Sequence, residues 1–69
     1  MTFSIEGREY IELNRLLKLL SWVESGGQAH MFISQGEVIV NGETEYRKRK
    51  KLRPKDVVSF NDQTVEIMA

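Results

Sequence analysis

Apolar and polar positions alternate around Phe3 and Ile5, and Glu6-Gly7-Arg8 follows with the composition of a turn. Tyr10-Ile11 lies where a returning strand would pair, so the pattern predicts a short N-terminal hairpin. Leu13, Leu16, Leu17 and Leu20 then fall at i, i+3, i+4 and i+7, which is one face of an α-helix. Asn14 is the expected N-cap, and the helix should end near Ser21. Arg15 and Lys18, three residues apart, share a second face. Trp22 and Val23 fit as core plugs at a helix–helix corner.

A second helix is expected from Ser25. Ser25 and Gln28 have the S-x-x-Q spacing of a capping box, Ala29, Phe32 and Ile33 form an apolar face, and Gly36 can end the helix. Glu37 to Val40 reads as a strand, and Asn41-Gly42 is a strong hairpin signal. The return strand should run from Glu43 to Tyr46 and on into the residues that follow. Pro54-Lys55-Asp56 predicts a turn, Val57 to Phe60 a strand, Asn61-Asp62 a turn, and Thr64 to Ile67 a closing strand. The fold class expected is α+β, with two short packed helices against a small bent, mostly antiparallel sheet.

Length bounds what such a chain can hold. With 69 residues, one domain over residues 1–69 is expected, and a domain of this size buries only about 60% of its unfolded surface. There is no cysteine and a single histidine, His30, so disulfides are excluded and a structural zinc site lacks ligands. The core must come from aliphatic residues and from Phe3, Tyr10, Trp22, Phe32, Tyr46 and Phe60. No apolar run approaches the roughly 20 residues of a membrane span. The first residues lack the charged and apolar regions of a secretory signal, so a cytoplasmic location is expected.

The formal net charge is zero, but it is distributed unevenly. Arg47, Lys48, Arg49, Lys50, Lys51, Arg53 and Lys55 place seven cations in nine residues with no acid among them. The remainder carries three cations against ten acids, a balance of −7. Five adjacent cations repel one another, and an anionic partner relieves that cost. Phosphate backbones do so with release of counterions. If the segment is extended, Arg47, Arg49 and Lys51 point one way while Lys48 and Lys50 point the other.

The start of the second helix is a further candidate anion site, since its first amides are free and its dipole favours negative charge. Gly26 and Gly27 each cost roughly 0.5–1 kcal/mol relative to Ala inside a helix. They either let a phosphate approach, with Ser25 and Gln28 adding hydrogen bonds, or allow tight packing against Trp22. Catalysis finds little support. His30 has no carboxylate at i±3 or i±4, no phosphate-binding or dinucleotide loop is present, and Glu43 and Glu45 read as solvated hairpin residues.

The order of these elements resembles the S-four domain, an RNA-binding module also called the alpha-L motif. The residues that carry the resemblance are Leu13, Leu16, Leu17, Ser25, Ala29, Gly36, Val38, Val40, Asn41 and Gly42, followed by Lys55-Asp56-Val57-Val58. They span a motif core of about residues 11–60. Leu17-Lys18-Leu19, Trp22, Glu24 to Ala29 and Arg47 to Lys51 are similar to a short stand-alone bacterial branch of that superfamily. The resemblance implies binding of structured RNA across both helices and nearby strand residues. Many members carry Arg where this chain has Gly26, and a basic residue where it has His30. These departures shift the expected burden to the Arg47–Lys51 segment, with His30 partly replacing a lysine when protonated.

The sequence thus leads to a non-catalytic, monomeric binder of structured RNA, of the ribosomal or transfer RNA class. No cofactor, metal, small-molecule substrate or membrane is expected. The expected contacts are Arg47, Lys48, Arg49, Lys50 and Lys51 as a cationic strip and Arg15 and Lys18 as a second rail. Ser25, Gly26, Gly27, Gln28 and His30 lie between them. Two other classes stay open: a module that docks an acidic protein through the same strip, and an accessory domain that delivers RNA to a separate enzyme. DNA binding is a third option.

Overall fold

The computed structural model describes residues 1–69. Its elements are β1 (Thr2–Ser4), β2 (Ile11–Glu12), α1 (Leu13–Leu19), α2 (Gly26–Ser34), β3 (Val38–Val40), β4 (Glu43–Thr44), β5 (Lys51–Leu52), β6 (Val57–Phe60) and β7 (Gln63–Met68). Five strands form one sheet in the order β1-β7-β6-β3-β4, and β2 and β5 form a separate antiparallel pair. All pairings are antiparallel except β1 with β7.

The alternation along the strands sets which face is buried. Val38 and Val40, Val58 and Phe60, and Val65 and Ile67 point inward, while Ile39, Thr64 and Glu66 point to solvent. The inward set joins Leu13, Leu16, Leu17, Ala29 and Ile33 from the helices in one core of fifteen buried residues, none of them polar. Phe32 packs on Phe60 with ring centroids 5.0 Å apart, and Trp22 lies 6.4 Å from the same ring. Two of the six aromatics expected in the core depart from it. Tyr46 is 66% exposed, and Tyr10 is only half-buried.

Both helices end in the left-handed cap that satisfies their last carbonyls. In α2 the cap residue is Gly36 (φ +78°), with Gly36 N–H donating to Ile33 O and Glu37 N–H to Phe32 O. In α1 it is Ser21 (φ +58°), so this helix ends at Leu19, slightly before the expected point. Ser25 caps α2 as expected, its Oγ accepting from Gln28 N–H at 3.1 Å, but Gln28 reaches back to Glu24 N–H rather than to Ser25.

The N-terminal hairpin does not form. The turn at Glu6-Gly7 is present, closed by Arg8 N–H donating to Ile5 O at 3.1 Å, but its two arms separate. Thr2–Ser4 pairs in parallel with Glu66–Met68, and Ile11–Glu12 pairs with Lys51–Leu52. A period-two pattern identifies a strand without naming its partner, and the long-range partners here bury Ile5 and Ile11 more fully than a two-stranded ribbon could.

Asn14 is likewise not the N-cap of α1. Glu12 holds that position with no side-chain cap, and carbonyls from a distant segment cap the helix: Leu13 N–H donates to Lys50 O and Asn14 N–H to Lys48 O, both at 2.9 Å.

Asn41 does more than turn the chain. It takes the left-handed conformation (φ +52°) ahead of Gly42 (φ +83°). Its Nδ2 donates to Asp56 Oδ1 at 3.0 Å and its Oδ1 accepts from Val57 N–H at 2.8 Å. Asp56 Oδ2 in turn accepts from Arg53 N–H at 2.8 Å. The hairpin tip is thereby pinned to the segment that carries Arg53. Asn41→Ala loses both hydrogen bonds and places a Cβ residue without a polar side chain in the left-handed region. We expect it to lower stability by about 1–3 kcal/mol, read as a lower urea midpoint at unchanged m-value.

Candidate nucleic-acid interface

The basic segment does not continue the hairpin strand. Pairing with β3 ends at the bond from Glu45 N–H to Val38 O, and Lys50 N–H donates to Arg47 O at 3.2 Å, closing a turn. The alternation expected of an extended strip, with Arg47, Arg49 and Lys51 on one side, therefore does not hold. The cause is the capping of α1: with Lys48 O and Lys50 O both committed to that helix, the chain must curl over its N-terminus. The turn is fixed to the fold by its backbone, which leaves the side chains free to serve a ligand.

Two of the seven cations are internally neutralised. Arg47 makes a bidentate pair with Glu45, Nε to Oε2 at 2.8 Å and Nη2 to Oε1 at 3.1 Å, and its N–H also donates to Oε2. The hydrogen bond from Arg47 holds the Glu45 carboxyl below its ordinary value and pushes the guanidinium of Arg47 further up. Glu45 is thus a staple of the loop, its side chain only 12% exposed, and not the solvated residue expected. Arg49 Nε lies 3.4 Å from Glu12 Oε2.

Two of the remaining cations, Lys51 and Arg53, lie on the outer face of the β2–β5 pair. Ile11 and Leu52 are partners and point inward, so Tyr10, Glu12, Lys51 and Arg53 share the outer face. Lys51 Nζ lies 5.0 Å and Arg53 Cζ 5.8 Å from the Tyr10 ring centroid, within cation–π range. An open concavity of about 440 Å³ is lined there by Arg47, Arg49, Lys50, Lys51 and Arg53, with no acid and no apolar side chain. Tyr10 and Arg53 were not among the site residues expected from sequence. The signal was available: Tyr10-x-Glu12 and Lys51-x-Arg53 are complementary alternating pairs, hidden by assigning Tyr10 to a hairpin with Ile5.

The helical residues form a track beside this concavity. Asn14, whose N–H is bonded to Lys48 O, places its Nδ2 3.3 Å from His30 Nε2. His30 is half-buried on the seam between the helices. Gly26 and Gly27 precede it by four and three residues and so share its face of α2. A Cβ at Gly26 would meet nothing within 4 Å, and one at Gly27 only Ser25 Oγ at 3.8 Å. Packing against Trp22 therefore does not explain these glycines. Lys18 is exposed one turn after Asn14, whereas Arg15 lines a separate concavity with Arg8, Glu9 and Tyr10.

Two helices packed on a mostly antiparallel sheet are the architecture of the alpha-L fold. The S4 domain family matches residues 3–68, and the chain belongs to that family. It is 44% identical over 68 residues to the "Putative RNA-binding protein YbcJ" of Escherichia coli (strain K12), covering 99% of this chain and 97% of that protein. The solution structure of YbcJ, described as revealing an alpha-L motif involved in RNA binding, superposes with a TM-score of 0.75, covering 99% of this chain and 86% of that one. The chain is also 46% identical over 52 residues to the "Probable ribosome maturation protein RlbA" of Bacillus subtilis (strain 168), covering 75% of this chain and 73% of that protein. No helix of the chain is long and apolar enough to cross a membrane.

Proposed function

We propose that this protein binds structured RNA, of the ribosomal or transfer RNA class, without catalysis of its own. The observation that supports this reading most directly is the all-cationic concavity of Arg47, Arg49, Lys50, Lys51 and Arg53, held by its backbone to the start of α1. A surface fixed in shape and free in its side chains suits a ligand whose charges are spaced regularly, as phosphates are. Lys48, Lys50, Lys51 and Arg53 have no acidic partner and carry most of the contact. Arg47 and Arg49, tied to Glu45 and Glu12, shape the turn and contribute less. Lys18, His30 and the open amides of Gly26 and Gly27, flanked by Ser25 and Gln28, extend the contact along the helices. Arg15 reaches the RNA from the β2 side. The RNA-binding name of one relative and the ribosome-maturation name of another both agree with this reading.

Selectivity on such a surface comes mainly from shape, because phosphate contacts carry no sequence information. Neutralising four or five phosphates gives a plot of log K against log salt with a slope of roughly −3 to −4.5. Fluorescence anisotropy of a labelled RNA hairpin across a salt series measures it. A slope near zero would remove the electrostatic mechanism.

A further inference from the structure

Tyr46 is the one aromatic side chain that the fold leaves in solvent, at 66% exposure, and its position is not loose. The chain just before it is anchored by Glu45 N–H donating to Val38 O at 2.9 Å. The ring lies across the backbone of Gly36: a Cβ there would stand 3.1 Å from its Oη, 3.3 Å from Cε1 and 3.5 Å from Cζ. The absence of a side chain at position 36 thus serves two ends, the left-handed cap of α2 and a seat for the ring. Arg47, the next residue, is immobilised by both oxygens of Glu45. A large planar surface is therefore supported from one side and left uncovered on the other.

Its surroundings indicate what covers it. Tyr46 lines a shallow concavity together with Glu43, Glu45, Arg47 and Lys50; Glu45 is paired with Arg47, and Arg47 and Lys50 also line the all-cationic concavity. A strand whose phosphates sit in the all-cationic concavity runs beside the concavity of Tyr46, because Arg47 and Lys50 line both. Within a paired stem a base there is already stacked and cannot use the ring. An unpaired base can, and aromatic stacking is the usual way in which proteins hold one.

We infer that Tyr46 is a stacking platform for an unpaired nucleotide, so that the preferred ligand is an RNA stem interrupted by a bulge or ending in a loop next to the bound phosphates. This rests on the RNA-binding reading above and adds to it a structural class of target.

The test uses three hairpins identical in their stem: one fully paired, one with a single bulged 2-aminopurine, and one with an abasic nucleotide in the same bulge. Binding is measured for the wild-type chain, Tyr46→Phe and Tyr46→Ala. The wild type and Tyr46→Phe should bind the 2-aminopurine bulge about 5- to 150-fold more tightly than the abasic bulge, with a change in 2-aminopurine emission on binding. Tyr46→Ala should lose both the preference and the emission change while keeping the wild-type affinity for the fully paired hairpin, which also shows that it is folded. A wild type that binds all three hairpins equally overturns the platform and leaves the phosphate site standing. So does a Tyr46→Ala chain that keeps the preference. A wild type that binds none of the hairpins overturns both the platform and the RNA-binding reading.

Discussion

Reversing the charge of Lys50, Lys51 and Arg53 together is expected to weaken binding to a structured RNA by at least about 100-fold near 0.1 M salt. The slope of log K against log salt should fall in magnitude by about 2 to 3, since each lost phosphate contact removes about 0.7 to 0.9. These three positions are chosen because their side chains, unlike those of Arg47 and Arg49, form no ion pair with an acid. Reversing Arg47 or Arg49 would instead release Glu45 or Glu12 beside a new carboxylate and disturb the turn itself. The backbone bonds that hold the turn, from Leu13 N–H to Lys50 O and from Asn14 N–H to Lys48 O, do not depend on side-chain identity. The triple variant gives up two cation–π contacts on Tyr10, each about 0.5–1 kcal/mol at an exposed site, so it should remain folded by circular dichroism.

The control for this experiment places three new acids at exposed positions away from the concavity, Thr2, Gln63 and Thr64, a net-charge change of −3 against −6 for the triple variant. Local contact predicts that the control binds within a few-fold of wild type. A control that loses about half as much in log K as the triple variant would mean that net charge governs binding and that the concavity has no special role. The chain makes the distinction measurable because its charges are segregated: seven cations lie in one nine-residue stretch and all ten acids lie outside it.

Legibility of the fold followed the range of the interaction involved. The face of α1 at Leu13, Leu16 and Leu17, the cap at Ser25, the end of α2 at Gly36 and the turn at Asn41-Gly42 are all specified within a few residues, and the structure has them where the pattern placed them. The partner of Phe3 and Ile5, the partner of Ile11 and the cap of α1 are all set by segments more than thirty residues away, and no local period encodes them. The missed cap had the larger consequence. Without the bonds from Leu13 and Asn14 to the basic segment, an extended strand was the natural reading of Arg47 to Lys51, and its alternation pointed to the wrong set of side chains. Composition located the charge, but only tertiary contacts decided which cations are free. Tyr46 shows the reverse case, in which an aromatic residue is assigned to the core because so small a core needs every one, and the fold leaves it outside.

Leu17→Ala carries the largest expected effect on stability. Leu17 is fully buried, on the side of α1 that continues from Asn14 toward α2, and its carbonyl accepts from Trp22 N–H at 3.1 Å in the cap between the helices. Truncation of a buried Leu costs about 2–5 kcal/mol. A domain of under about 70–80 residues rarely has more than 3–5 kcal/mol in total, so much or all of its stability should go. Thermal denaturation should show Tm lower by roughly 8–40 °C, given about 4–8 °C per kcal/mol at this size. Leu17 contacts no ligand in the proposed interface, so its effect on RNA binding should run entirely through the folded fraction. At a temperature where circular dichroism shows the variant folded, its affinity should equal that of wild type. On warming, binding should disappear along the same curve as the helical signal, because melting α1 removes the amides of Leu13 and Asn14 that hold the basic turn. An affinity already reduced in the fully folded variant would instead show that the packing of α1 on α2 sets the geometry of the turn directly.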